Sequence, residues 1–233
     1  DESNRLDNGV NGYDIGKVTS DDIADIEKLI DDIDTLLDSD NLTDTQREDL
    51  EDLRDKAKDM LDRITAAEDV ADAEEIKAVD GVTKDNVKLD DKDALEKAKK
   101  ALENAIRDFD GNYTDEERKD LDAKLETVKA ALASIGNVEK VIELISKLPS
   151  ADDVTLGDKS EVDRVKDMIA GLSENEKAML GITATEKVEA LSEKLRKLAE
   201  NPASPDTGYE SDPISWAALL FISGGVVTGT AII

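Results

Sequence analysis

A ten-residue stretch of the sequence recurs 71 residues further along the chain, and this repetition restricts the fold more than any other feature. Residues 41–50, NLTDTQREDL, match residues 112–121, NYTDEERKDL, at six of ten positions. A second match has a spacing of 67 residues, where the pattern V-x-L-x-D-K begins at Val87 and again at Val154. Self-similarity at a period of about 65–70 residues is typical of a repeat array rather than of one large domain.

Apolar residues within each repeat recur at steps of three and four, which predicts amphipathic α-helices. In the first such stretch, aspartate and glutamate fill the opposite face, and the apolar positions are Ile23, Ile26, Leu29, Ile30, Ile33, Leu36 and Leu37. Thr43 and Thr114 are predicted N-caps, because a threonine hydroxyl can accept a hydrogen bond from the first helical turn. Gly136, Pro149 and Gly181 are expected to end helices.

Short amphipathic helices bury their apolar faces by packing together, so the sequence predicts an all-α protein of tandem three-helix bundles. In the first bundle the opening helix is missing or lies in an unstructured start. Within the second and third bundles, helices are expected at 69–79, 91–109, 114–135, 138–148, 159–170, 173–180 and 183–199. The predicted organisation is a linker (1–17), a partial first module (18–66), a second module (67–135), a third module (136–200), a polar linker (201–213) and one hydrophobic helix (214–233).

Composition excludes several classes of function. The net charge is −28, from 58 acidic and 30 basic residues, so the chain would repel nucleic acid and anionic membrane surfaces. The sequence has no cysteine and no histidine, which removes thiol and imidazole catalysis, disulfides and the common zinc sites. Narrow bundles offer no cleft in which two carboxylates could cleave a glycosidic bond. We therefore expect neither an enzyme nor a cofactor.

The sequence changes character after residue 200. Residues 214–233 form a run of 20 amino acids without a charge, which as a helix would span about 30 Å, the thickness of a bilayer's hydrocarbon core. The side chains that define this predicted membrane segment are Ile214, Trp216, Leu219, Leu220, Phe221, Ile222, Val226 and Val227. Gly225 and Gly229 have the spacing of a helix-pairing motif, although small residues are common in such segments.

A short motif precedes the apolar run and consists of Ser204, Pro205, Asp206, Thr207 and Gly208. With its polar spacer and apolar helix, it resembles the sorting signal of Gram-positive wall-anchored proteins, the LPXTG type, with serine in place of leucine. The resemblance implies that a sortase cleaves after Thr207 and joins its carboxyl group to an amine of the cell-wall peptide. Signals of this family end in a basic cluster, which does not follow Ile233, and the chain starts at Asp1 without methionine. We therefore expect a piece of a longer precursor.

The helical units also resemble tandem three-helix modules near the C-termini of large surface proteins and glycoside hydrolases of gut Firmicutes. Residues 138–149 and 154–172 carry this likeness. The expected function is a non-catalytic spacer at the cell surface, with its C-terminal segment in the membrane before sorting. Two alternatives stay open: a module that binds a host protein or glycan, and a permanently membrane-anchored ectodomain. An exposed apolar or aromatic patch would favour binding, and Tyr113 is the candidate for it.

The acidic loop 108–117 invites comparison with a calcium-binding EF-hand loop, which has glycine at position 6 and glutamate at position 12. Counted from Asp108, Gly111 falls at position 4 and Lys119 at position 12. The spacing therefore predicts a helix–helix turn capped by Thr114 and no metal site. The repeat partner, residues 38–44, is expected to form the same kind of turn with Thr43 as its cap.

Overall fold

The computed structural model describes residues 2–200, and every regular element within that range is helical. The α-helices are α1 (Glu2–Asn11), α2 (Ile23–Leu37), α3 (Asp44–Ala71), α4 (Glu74–Lys77), α5 (Lys92–Phe109), α6 (Asp115–Lys147), α7 (Lys159–Ala170), α8 (Glu174–Leu180) and α9 (Ile182–Glu200). Short 3-10 turns lie at Ser20–Asp22, Leu89–Asp91, Asp110–Asn112 and Leu156–Asp158. The predicted all-α class is confirmed for the described part of the chain.

Three helices begin with the same reciprocal pair of hydrogen bonds, known as a capping box. The N-cap hydroxyl accepts a bond from the N–H group of the third helical residue at 3.3 Å. In return, the side chain of that third residue accepts a bond from the N-cap N–H group at 2.8–3.1 Å. The residue pairs are Thr43 with Gln46 in α3, Thr114 with Glu117 in α6, and Ser173 with Glu176 in α8. The predicted N-caps Thr43 and Thr114 are therefore confirmed, since each satisfies a helical N–H group that has no partner within its helix.

The buried apolar side chains form three clusters that follow one another along the chain. The first core draws on residues 6–64 and joins α1, α2 and the first part of α3. The second core draws on residues 67–135 and joins the end of α3 with α4, α5 and the first part of α6. The third core draws on residues 138–195 and joins the rest of α6 with α7, α8 and α9. As a result, α3 and α6 each contribute to two neighbouring cores.

The predicted linker at residues 1–17 is wrong, because most of it forms α1. Leu6 and Val10 lie four residues apart on one face of α1, and both side chains are fully buried. A β-carbon on Gly9 would lie 2.8 Å from a methyl group of Leu29, which shows how closely α1 packs on α2. Two apolar residues in an Asn- and Gly-rich stretch are too weak a pattern to predict a helix, and the helix depends on this tertiary packing.

Two of the three predicted helix ends are confirmed. Pro149 follows the C-cap of α6, and Gly181 ends α8 with a φ of +81°, a conformation that strains residues with side chains. The prediction for Gly136 is wrong, because α6, which is 33 residues long, continues through it to Lys147 and so includes nearly all of the segment expected as a separate helix at 138–148. Ile135 and Val138 are buried on either side of it. Their burial contributes about 1.5–3 kcal/mol each, which outweighs the cost of about 1 kcal/mol for a glycine inside a helix.

Helix α3 shows the same continuity between the first two cores. The sequence places the opening helix of the second module at residues 69–79 as a separate element. In the structure, α3 extends to Ala71, and only α4 follows as a separate single turn. Ala67 near the end of α3 is fully buried and belongs to the second core, so this core begins on the helix that completes the first.

Candidate functional site: the junctions between neighbouring cores

The sequence-predicted sorting residues 204–208 and the apolar segment 214–233 lie outside the described residues. Within residues 2–200, no helix combines the length and apolar character needed to cross a membrane. The features of this part that bear on function are the two junctions where neighbouring cores meet. One core and the helices that surround it are called a unit. Each junction joins a loop of one unit, which lies just before a 3-10 turn, to a helix–helix turn of the next unit.

The first junction is organised by Asn112, which is only 2% exposed. Its side-chain amide donates hydrogen bonds to the backbone oxygens of Ile15 at 3.0 Å and Val18 at 2.9 Å. Its side-chain oxygen accepts a bond from Nε of Arg63 at 2.9 Å. Every polar atom of this amide side chain is therefore used, which is what a buried amide requires. Asn112 thus holds the α1–α2 loop against the turn between α5 and α6.

Arg63 on α3 ties the same turn to the helix that both cores share. Its guanidinium group donates a hydrogen bond to the backbone oxygen of Asp108 as well as to Asn112. The guanidinium carbon also lies 4.1 Å from the centre of the Phe109 ring, a cation–π contact. A single side chain therefore anchors the end of α5, the turn after it and α3.

The two backbones approach each other closely at Gly16 and Gly111. A β-carbon built on Gly111 would lie 2.1 Å from the backbone oxygen of Gly16, far inside contact distance. That oxygen is part of the main chain and cannot move aside as a flexible side chain could. The first junction therefore requires glycine at position 111.

Tyr113 and Glu117 complete the first junction. The Tyr113 hydroxyl donates a hydrogen bond to the backbone oxygen of Ala67 at 3.0 Å, and burial raises the pKa of this hydroxyl to about 12. The Ser20 hydroxyl donates to Glu117 at 2.9 Å. Burial would raise the pKa of Glu117, but hydrogen bonds from Thr114 and Ser20 lower it below its ordinary value. Tyr113, the candidate for an exposed patch, does not form one, because the residue is 7% exposed and contributes to the second core.

The second junction repeats this arrangement with a different residue. The side-chain amide of Asn175, on α8, donates hydrogen bonds to the backbone oxygens of Lys84 at 3.1 Å and Val87 at 3.0 Å. These oxygens occupy the same places in their loop as those of Ile15 and Val18 in the first. Two asparagines at different positions of the repeat therefore hold a loop in the same way, through two hydrogen bonds from the side-chain amide to backbone oxygens. We call this arrangement an asparagine clamp.

Apolar contacts extend across the second junction. Leu89, in the 3-10 turn that follows the clamped loop, is partly buried and packs against both the second and the third core. Met179 on α8 does the same from the other side. The boundary between these cores is therefore filled by side chains as well as crossed by α6.

Glu176 is the buried carboxylate of the third core and is 7% exposed. It accepts hydrogen bonds from the Asn137 side chain at 2.9 Å and from the Ser173 backbone at 2.8 Å. Burial by itself would raise the pKa of Glu176, but the bonds from Asn137, Ser173 and Ser134 offset this effect and lower the pKa below its ordinary value of 4.5. The folded state therefore favours the charged form of Glu176.

This shift predicts a pH dependence of stability. A carboxylate whose pKa is lowered on folding stabilises the protein above its unfolded pKa, and the contribution is lost as the pH falls through the folded value. When the pH is lowered from neutral to below 4.5, we expect the free energy of unfolding to fall less in Glu176→Gln than in the wild type, because the glutamine does not titrate. Urea unfolding at a series of pH values measures this difference. Glu174→Gln is the matched control, because the Glu174 side chain is 93% exposed; equal pH profiles for Glu176→Gln and the wild type would contradict the assignment.

The acidic loop 108–117 forms the predicted turn with Thr114 as its N-cap, which is confirmed. Two of its carboxylates pair with cations of the chain itself. Asp108 accepts from Arg107 at 2.8 Å, and Asp110 pairs with Arg118. Within residues 2–200, no group of acidic side chains has the arrangement of a metal site.

Sequence reasoning missed both clamps. The repeat aligns Asn112 with Asn41, but no sequence pattern connects Asn112 to Val18, 94 residues away. Asn175 falls outside the matched positions altogether.

Comparison with models of protein families, with curated proteins and with solved structures finds no match to this chain.

Proposed function

We propose that the chain is a non-catalytic stalk of a secreted surface protein, built from tandem three-helix units and carrying a C-terminal cell-wall sorting signal. The observation that carries the stalk proposal is the sharing of α3 and α6 between neighbouring cores. A helix that serves two cores cannot kink sharply between them without losing backbone hydrogen bonds. At 1.5 Å per residue, α6 alone extends over about 50 Å.

The junction clamps support the same proposal. Each buried asparagine amide fixes a loop of one unit to the next, so neighbouring units are joined by polar contacts as well as by a continuous helix. Each hydrogen bond of this kind makes a net contribution of about 0.5–1.5 kcal/mol to the free energy of unfolding, and leaving a buried partner unpaired costs more. Units held in this way would keep a domain at the N-terminal side away from the point of attachment.

The charge distribution suits a spacer in water. The chain carries a net charge of −28, and within residues 2–200 most ion pairs join residues three or four apart on one helix. Arg196 is an example, since it pairs with Glu193 at 2.7 Å and with Glu200 at 2.6 Å. Such exposed pairs contribute little to stability, and the excess negative charge favours solubility.

The attachment proposal rests on the sequence. By its resemblance to sorting signals, the motif at 204–208 would be cleaved between Thr207 and Gly208, with the apolar segment 214–233 holding the chain in the membrane beforehand. The partners implied are a sortase and the cell-wall peptide, and the location is the cell wall. The alternative of a host protein or glycan as ligand gains no support from Tyr113, because this residue is buried.

Incubating the full chain with a sortase and a short peptide amine tests this proposal. We expect mass spectrometry to find a product that ends at Thr207 joined to the amine and that lacks residues 208–233. Thr207→Ala is the control and should give no product, because the enzyme must form its acyl intermediate at this residue. An unchanged mass for the wild-type chain would contradict wall attachment. If the unreacted chain still bound liposomes, permanent membrane anchoring would replace wall attachment as the proposed role of the C-terminal segment.

A further inference from the structure

The loop that the asparagine clamps hold occurs three times in the described chain. In each copy, the fourth and fifth residues donate backbone hydrogen bonds to the oxygen of the first residue. The first residues of these loops are Asp14, Thr83 and Ser150, and the six distances lie between 2.7 and 3.2 Å. Each loop then enters a 3-10 turn that starts a helix. The three loops therefore offer the same backbone surface to a neighbour.

Only the third loop has no neighbouring unit within residues 2–200. The oxygens of Ala151 and Val154 correspond to the clamped oxygens of the other two loops, and no described side chain donates to them. Leu156 is 48% exposed, whereas Leu89 at the same place in the second unit packs between two cores. The loop 150–156 thus exposes a surface that is covered by a further unit at both internal junctions.

The other half of a junction is present at the opposite end of the described chain. The turn between α2 and α3 carries Asn41 and Thr43, which match Asn112 and Thr114 in the repeat. Asn41 is exposed, and its side-chain amide has no hydrogen-bond partner within residues 2–200. One copy of the chain therefore presents the donor, and a second copy presents the acceptor loop.

One residue distinguishes this free turn from the occupied one. Asp40 stands where the matching turn has Gly111, whose position has no room for a β-carbon beside the backbone of the loop it contacts. In an equivalent contact, a β-carbon at position 40 would meet the backbone oxygen of Asp152 in the second copy.

We propose that Asp40 prevents head-to-tail docking between copies of this chain, by keeping the α2–α3 turn of one copy off the 150–156 loop of another. This role goes beyond the stalk function and concerns the helical part alone. Asp40 is exposed and forms no hydrogen bond or ion pair within residues 2–200, so its replacement removes no polar contact of the described fold.

The test compares Asp40→Gly, Asp40→Ala and the wild-type full chain by sedimentation velocity over a range of concentrations. All samples contain a nonionic detergent, so that any association through the apolar segment is common to all three. We expect Asp40→Gly to self-associate at least about tenfold more tightly than the wild type. Asp40→Ala, which retains the β-carbon but not the charge, should behave as the wild type does. Circular dichroism confirms that each variant is folded.

Two further variants identify the surfaces involved. Adding Asn41→Ala or Leu156→Ala to Asp40→Gly should reverse the association, because these residues supply the amide donor and the apolar contact. The proposal is overturned if Asp40→Gly remains as dissociated as the wild type, or if Asp40→Ala associates equally well. It is also overturned if the association of Asp40→Gly survives both second substitutions. None of these results bears on cleavage at Thr207, so the two proposals fail separately.

Discussion

Replacing Gly111 with alanine is expected to lower the free energy of unfolding by about 2–4 kcal/mol. The added β-carbon would lie 2.1 Å from the backbone oxygen of Gly16, so the turn and the loop must separate. That separation also breaks the hydrogen bonds from Asn112 to Ile15 and Val18 and leaves buried polar groups without partners. Urea unfolding of the variant and the wild type measures the difference.

Gly136→Ala is the matched control for this experiment. Gly136 lies inside α6, and a β-carbon there would meet no atom within 4 Å. The same chemical change should therefore stabilise the protein by about 0.5–1 kcal/mol, because alanine loses less backbone entropy than glycine in a helix. A Gly111→Ala variant as stable as the wild type would show that the two backbones are not held as closely as the first junction requires.

Leu102→Ala is expected to have the second large effect. Leu102 lies on α5 and is fully buried in the second core, between the ends of the two shared helices. Truncating a buried leucine removes apolar burial and leaves a cavity, which costs about 2–5 kcal/mol. We expect amide hydrogen exchange to quicken in the parts of α3 and α6 that contact the second core. The other parts of these helices should keep their protection, because they pack in the first and third cores.

Leu156→Ala provides the matched comparison, since the same substitution is made where the side chain is 48% exposed. Its effect on the free energy of unfolding should be about 0.5 kcal/mol or less, as is usual for surface substitutions. If the two leucine variants unfolded at the same urea concentration, the assignment of Leu102 to a packed core would be wrong.

Local chemistry predicted the helices that carry strong apolar periodicity and clear caps. Thr43 and Thr114 follow directly from the preference for hydroxyl side chains at helix starts, and Gly181 from the freedom of glycine at positive φ. Helix α1 escaped prediction because only Leu6 and Val10 mark its buried face, and packing on α2 supplies the rest. The prediction at Gly136 failed for the opposite reason. A glycine locally favours a helix end there, but the burial of Ile135 and Val138 on either side keeps α6 continuous.

The junctions were beyond prediction because they depend on pairs of residues that are distant in the sequence. Asn41 and Asn112 occupy the same place in the repeat, yet Asn112 is buried at a junction and Asn41 is exposed. What separates them is the partner loop near each turn, together with the neighbouring residue, Asp40 or Gly111. A repeat in the sequence shows that two segments share a local structure, but not which of them has a neighbour.

The most direct test of the stalk proposal is the distance between two cores, measured by pulsed electron paramagnetic resonance. Nitroxide labels on Lys28→Cys in α2 and Lys97→Cys in α5 would report on the first junction, and the chain has no cysteine of its own to interfere. Both lysines are exposed, so labelling should not disturb the cores. A shared helix and a clamped loop predict one narrow distance distribution, which Gly111→Ala should broaden. A broad distribution in the otherwise wild-type chain would mean that the units move independently, and the stalk proposal would lose its physical basis.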